Sequence, residues 1–211
     1  MFIRERASDA QVRGLHSWID NDSDRWIAAG SYNKLYIYSG AGIRYDITPT
    51  GLTAGNEDAL QPVGYGNSFY GQEYYGIARQ EVTTITPATT WAMDSWGEYL
   101  VACSSSDGKI YEWQLNTGTI AAPVTNAPVG CRSILVTEER FLMALGAGSN
   151  PRLVQWSDRE NNTVWTPSAT NEAGSLEIQT SGRIRCGVKV QKKSLILTDT
   201  DAHVATYSGP P

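Results

Sequence analysis

The sequence predicts an all-β fold of about four small antiparallel sheet units in a propeller-like arrangement. Three observations lead there. No stretch keeps an apolar i, i+3, i+4, i+7 pattern over several turns. Short runs rich in Val, Ile, Thr, Tyr and Trp recur along the whole chain, punctuated by Gly, Asn, Asp and Pro. Those runs also fall into four similar clusters. A β-sandwich is the alternative architecture for the same strands.

The first cluster reads Arg25 to Gly30, a turn at Ser31 to Asn33, then Lys34 to Tyr38, with a further strand from Ile43 to Ile47 that stops at Thr48-Pro49. The second reads Glu98 to Cys103, a turn, then Lys109 to Trp113. The third reads Arg140 to Leu145, a turn, then Arg152 to Trp156. The fourth reads Ser194 to Leu197, a turn, then Ala202 to Tyr207. In each, a nearly continuous apolar run suits a strand covered on both faces. A turn rich in Gly, Asp, Ser or Asn follows. The next strand alternates and so has one wetter face. A strand-like run precedes each cluster as well: Gly14 to Trp18, Thr90 to Ser95, Ser133 to Val136 and Arg183 to Val190. That gives three or four strands per unit. The Ser8 to Ile19 stretch is the closest approach to a helix, and Gly14 and His16-Ser17-Trp18 weaken it.

With Trp26, Tyr99, Phe141 and Leu195 taken as equivalent, the unit recurs after 73, 42 and 54 residues. A four-stranded blade needs about 40–50 residues. The long first gap holds a Gly- and Tyr-rich insertion at about 50–80, with Tyr65, Tyr70, Tyr74 and Tyr75. Gly lends adaptability, and Tyr offers contact area with few torsions to freeze. The insertion reads either as a partner-contact loop or as a surface loop folded on its own tyrosines. Trp96, Trp113, Trp156 and Trp165 end their clusters and are the bulk that packed sheets would bury between them.

The 211 residues suit a single domain of this kind, and 41% apolar content supplies a core. A net charge of −5 and the lack of a basic stripe argue against a free-standing nucleic-acid binder. No apolar run approaches the ~18–20 residues of a membrane span, so no membrane anchor is expected. Met1 to Arg6 carries charges where a signal peptide would be apolar, so no export signal is expected. Cys103, Cys131 and Cys186 are odd in number and widely spaced, which suits buried free thiols.

Motifs that would carry chemistry are missing or incomplete. Asp20-Asn21-Asp22-Ser23-Asp24 alternates like the start of a calcium loop, but Arg25 stands where that loop needs Gly and Ser31 where it needs Glu. A polar turn is the better reading. His16 and His203 lie in no metal-ligand spacing. Asp46, Asp94, Glu112, Asp158 and Glu177 are scattered acids with nothing to pair them for glycoside hydrolysis. No catalytic residue, metal or cofactor is expected.

One string is distinctive: Trp156-Ser157-Asp158-Arg159-Glu160-Asn161-Asn162-Thr163-Val164-Trp165-Thr166-Pro167. With Asp46-Ile47-Thr48-Pro49, Trp96-Gly97-Glu98 and Tyr207-Ser208-Gly209-Pro210-Pro211, in that order, it resembles the tail-nozzle and packaged-DNA-stabilising (tail accessory) virion proteins of short-tailed bacteriophages. The resemblance runs from about residue 12 to the end of the chain. It implies a propeller-like body and a ring of copies below the portal. It also implies contacts with other virion tail or portal proteins, with DNA only as passing cargo. Members of that family are longer, so the resemblance implies a partial or reduced member. The expected function is therefore a non-enzymatic structural component of a phage tail or head–tail connector, located in the virion. A carbohydrate-binding or glycan-cleaving propeller is the alternative. An acidic lining would suit a conduit, because affinity for DNA grows with phosphate-neutralising Lys and Arg.

Overall fold

The computed structural model describes residues 10–60 and 85–209. The tyrosines expected to form a contact loop, Tyr65, Tyr70, Tyr74 and Tyr75, lie outside the described residues, as do Pro210 and Pro211.

The described chain forms four antiparallel sheets, taken up one after another in sequence. Sheet 1 runs β1 (Gly14–Ile19), β2 (Arg25–Gly30), β3 (Leu35–Ser39) and β4 (Arg44–Asp46). Sheet 2 runs β5 (Trp91–Trp96), β6 (Tyr99–Ser104), β7 (Ile110–Trp113) and β8 (Ala122–Pro123). Sheet 3 runs β9 (Ser133–Val136), β10 (Leu142–Leu145), β11 (Leu153–Trp156) and β12 (Gly174–Glu177). Sheet 4 runs β13 (Ile184–Val190), β14 (Lys193–Thr198) and β15 (Ala202–Thr206). In every sheet, strands adjacent in sequence are adjacent in space. Among the described residues the only helical turn is the short 3-10 segment Ala147–Ser149. The stretch nearest to a helical pattern therefore ends in a strand, β1.

The sheets pack in order through their first strands: β1 against β5, β5 against β9, and β9 against β13. This successive face-to-face arrangement of small meanders is propeller-like; it is not a two-sheet sandwich. Three apolar cores follow, one for each interface. Trp18, Trp26, Leu35, Ile37, Trp91, Tyr111 and Trp113 fill the space between sheets 1 and 2. Val101, Cys103, Ile134, Leu142 and Trp165 fill that between sheets 2 and 3. Leu135, Leu145, Val154, Ile184 and Ile196 join sheets 3 and 4. The second strands β6 and β10 serve two cores at once. In β6, Leu100 and Ala102 face sheet 1 while Val101 and Cys103 face sheet 3, which is why its residues read as one continuous apolar run.

Of the four cluster-ending tryptophans, Trp96, Trp113 and Trp165 are buried and Trp156 is half-buried. Cys103 and Cys131 are buried free thiols, but Cys186 is exposed, against expectation. The reason is register. Cys186 alternates with Gly187, which faces Leu145 of sheet 3, so the thiol points to the far side of sheet 4, where no further sheet covers it among the described residues.

Candidate functional site

The distinctive string forms the end of β11 and the loop leading toward β12. Here the sequence folds into a corner held by its own polar groups. Ser157 is fully buried; its hydroxyl accepts the Leu142 N–H at 3.0 Å and donates to the Asp158 carbonyl at 2.9 Å. The Asp158 carboxylate accepts the Glu172 N–H at 2.8 Å and so ties the start of the loop to its end. Trp165 plugs the core between sheets 2 and 3, its indole N–H satisfied by the Asn162 carbonyl at 2.7 Å. The Asn162 side chain donates to the Glu112 carboxylate of β7, which fastens the loop to sheet 2. Thr166 and Pro167 are exposed on the way out. The motif residues are thereby occupied in joining two sheets.

Trp156 is the exception. Its ring lies over Gly174 of β12, where a Cβ would sit 2.4 Å from the indole, and its N–H donates to the Glu172 carbonyl at 2.8 Å. The ring faces away from the corner and forms part of the wall of a cleft between sheets 3 and 4. The cleft has a volume of about 880 Å³. Met143, Val154, Trp156 and Leu176 form its sheet 3 wall; Ile196 and Ala205 form its sheet 4 wall. Leu176 is 63% exposed there. The charged lining consists of Glu138, Glu139, Glu172 and Glu177 with Lys192 and Lys193, among uncharged polar residues such as Asn171, Gln179 and Ser194. Glu172 accepts the Tyr207 hydroxyl at 3.0 Å, and Glu177 is paired with Arg152. Tyr207 also packs against Phe141, the rings tilted by 46° with centroids 5.3 Å apart. Burial and the Glu172 carboxylate both push the Tyr207 phenol upward from its ordinary range.

The two histidines are far apart in role. His16 of β1 hydrogen-bonds Ser95 of β5 at 2.8 Å and stacks on Trp18. Burial lowers its affinity for a proton; Asp94 opposes that shift, and Lys189 adds to it. His203 lines the cleft and pairs with Asp201 at 3.1 Å. Asp201 itself accepts hydroxyl donors from Thr180 and Thr198, which hold its carboxyl below the usual range and fix the β14–β15 turn. Among the described residues no three His, Cys, Asp or Glu side chains converge as metal ligands.

The Asp-rich stretch is a polar turn. The Asp20 carboxylate accepts the N–H groups of Asp22 and Asp24 and the Trp26 indole N–H, all within 3.0 Å. Of the other acids considered, Asp94 accepts the Val136 N–H at 2.8 Å and so clips sheet 2 to sheet 3, and Asp46 binds Lys34 and Thr48. The structure therefore places the scattered carboxylates at separate structural posts. The cleft is the feature that sequence reasoning missed, although Trp156 on its wall belongs to the quoted string.

No protein-family model matches the chain, and no curated protein matches it. Among solved structures, the chain is similar to selenomethionine-substituted virginiamycin B lyase from Staphylococcus aureus. The two share 12% identity over 92% of this chain and 70% of that one, with a TM-score of 0.34.

Proposed function

We propose that the chain is a non-enzymatic structural component of a tailed-phage virion, part of the tail or head–tail connector. Docking surface is the observation that carries this reading. Both terminal sheets carry exposed large apolar side chains: Leu15, Ile19 and Ile27 on sheet 1, and Val188, Val190 and Val204 on sheet 4 are each 46% exposed or more. Clusters of exposed apolar side chains on one sheet face suit protein contacts. The quoted string supports the same reading, because Ser157, Asp158, Asn162 and Trp165 brace sheets together.

The first turns of sheets 1 to 3 meet at one end of the stack, where Asp22, Asp24, Glu98, Glu138 and Glu139 outnumber Arg140, whose guanidinium lies over Trp96. In this proposal that rim faces the DNA path and keeps it from gripping the phosphates. The test is genetic. Tailed-phage particles assembled without this chain should fail to retain or deliver DNA. Particles carrying Asp22→Lys, Asp24→Lys and Glu138→Lys should assemble but eject more slowly. Normal infectivity without the chain would overturn the assignment; unchanged ejection by the lysine variant would overturn the slippery rim alone.

A further inference from the structure

Sheet 4 turns Ser194 and Ile196 of β14, with His203 and Ala205 of β15 paired beside them, toward sheet 3, and all four line the cleft. Ile196 is buried in the core between the two sheets and Ala205 packs against it, so Ser194, on the same face, points the same way. Ser194 is only 4% exposed, yet its hydroxyl has no hydrogen-bond partner among the described residues. The buried hydroxyls of Ser31, Ser104, Ser157 and Thr180, by contrast, are all bonded. A buried polar group destabilises a fold unless something polar meets it. The other polar atoms deep in the cleft are already taken: the Trp156 N–H by the Glu172 carbonyl, the Tyr207 hydroxyl by the Glu172 carboxylate, and the Glu177 carboxylate by Arg152. What Trp156 and Tyr207 offer the cleft is therefore ring surface, and what Ser194 offers is one free hydroxyl.

We propose that the cleft between sheets 3 and 4 binds a neutral, planar, fused-ring aromatic small molecule whose single hydroxyl or carbonyl meets the Ser194 hydroxyl. The protein itself shows what fits between such sheets. Trp113 lies between sheets 1 and 2 and Trp165 between sheets 2 and 3, each a flat ring whose one N–H is bonded. Size decides for a whole ligand over one side chain, because about 880 Å³ falls in the ~300–1,000 Å³ range of small-molecule sites. Charge decides for a neutral one. With Glu172 and Glu177 occupied, the remaining charged lining is Glu138 and Glu139 with Lys192 and Lys193, which favours neither sign. A sugar would need several polar groups converging on its hydroxyls, and the buried wall offers one. The inference goes beyond the virion reading and does not depend on it.

The test titrates the full chain, labelled with carbon-13 at its methionine methyls, with 2-naphthol and with 2-methylnaphthalene, which has the same shape but no hydroxyl. The Met143 methyl lines the cleft and should shift saturably with both, while Met93, packed against the core between sheets 1 and 2, should not move. A dissociation constant below about 1 mM is expected for 2-naphthol. Ser194→Ala should weaken 2-naphthol about three- to tenfold, the worth of one neutral hydrogen bond, and leave 2-methylnaphthalene unchanged. Ser175→Ala, on the opposite face of β12, should change neither. In the free protein Ser194→Ala should leave the unfolding midpoint unchanged or raise it, since it removes a buried hydroxyl without a partner. No saturable shift at Met143, or equal shifts at Met93, would overturn the site. Binding of 2-naphthol indifferent to Ser194→Ala, or a clear fall in the midpoint of that variant, would overturn the role of the hydroxyl. Tighter binding of 2-naphthoate or 2-naphthylmethylammonium would overturn a neutral ligand, and tighter binding of N-acetyltryptophanamide would overturn a small molecule in favour of a polypeptide side chain.

Discussion

Gly30 of sheet 1 lies directly beneath the indole of Trp91 in sheet 2: a Cβ on Gly30 would come within 2.3 Å of the ring, and the indole N–H donates to the neighbouring Ser31 carbonyl at 2.6 Å. One missing methyl thus sets how close two sheets can approach. Gly30→Ala should push the ring out of its place and cost on the order of 1–3 kcal/mol. Thermal or urea unfolding measures it. Gly51→Ala is no control, because its φ of +77° makes any side chain strained; Ala122→Gly at the exposed end of sheet 2 is.

Trp165 should be the most costly residue of the quoted string. Trp165→Ala removes a buried ring from the core between sheets 2 and 3 and should cost about 3–5 kcal/mol. Thr166→Ala, one residue later and exposed, should stay within about 0.5 kcal/mol of wild type. Equal effects from the two, measured by denaturant unfolding, would show that the string is not a packing device.

The three thiols should separate sharply. Cys186 is exposed and should react with an aromatic disulfide reagent in the native protein. Burial pushes the Cys131 thiol up to about 12 and that of Cys103 well above its ordinary range, so both should react only on unfolding. Counting released thiolate before and after adding denaturant checks this.

Acidification should destabilise the fold in two stages. The His16 imidazole has its proton affinity lowered chiefly by burial, so the unfolded chain takes up a proton first and stability falls as pH drops below the ordinary value of 6.5. His16→Asn should flatten that stage. Asp20, Asp199 and Asp201 are held below the ordinary 3.8, so their contribution is present above that value and is lost as pH falls through the folded-state range. Unfolding midpoints from pH 8 down to about pH 2 follow both stages.

Much of this fold is legible in the sequence because the central strands carry two signals at once. A run such as Leu142–Leu145 is apolar on both faces, and a turn follows it. The strands that sequence reading passes over are those with neither signal. Ala122–Pro123 is two exposed residues long, and Gly174–Glu177 begins with a glycine and shows no alternation. The cleft is invisible for a different reason: it arises where Trp156 and Leu176 meet Ile196 and Ala205, and no local pattern states which sheet faces which. The exposure of Cys186 escapes the sequence for another reason: Ile184, Cys186, Val188 and Val190 alternate as one inward face would, but a register shift between Ile184 and Cys186 leaves Ile184 buried and turns the later three outward.

The order in which the sheets stack is tested most directly by one nuclear Overhauser spectrum of the folded chain. Three cross-peaks are expected, one across each interface: Gly30 Hα to the Trp91 indole, the Val136 amide to the Asp94 side chain, and Gly187 Hα to a Leu145 methyl. All three together are the result this structure requires. Their absence, or strong cross-peaks joining β1 to β9 as in a two-layer sandwich, would contradict it.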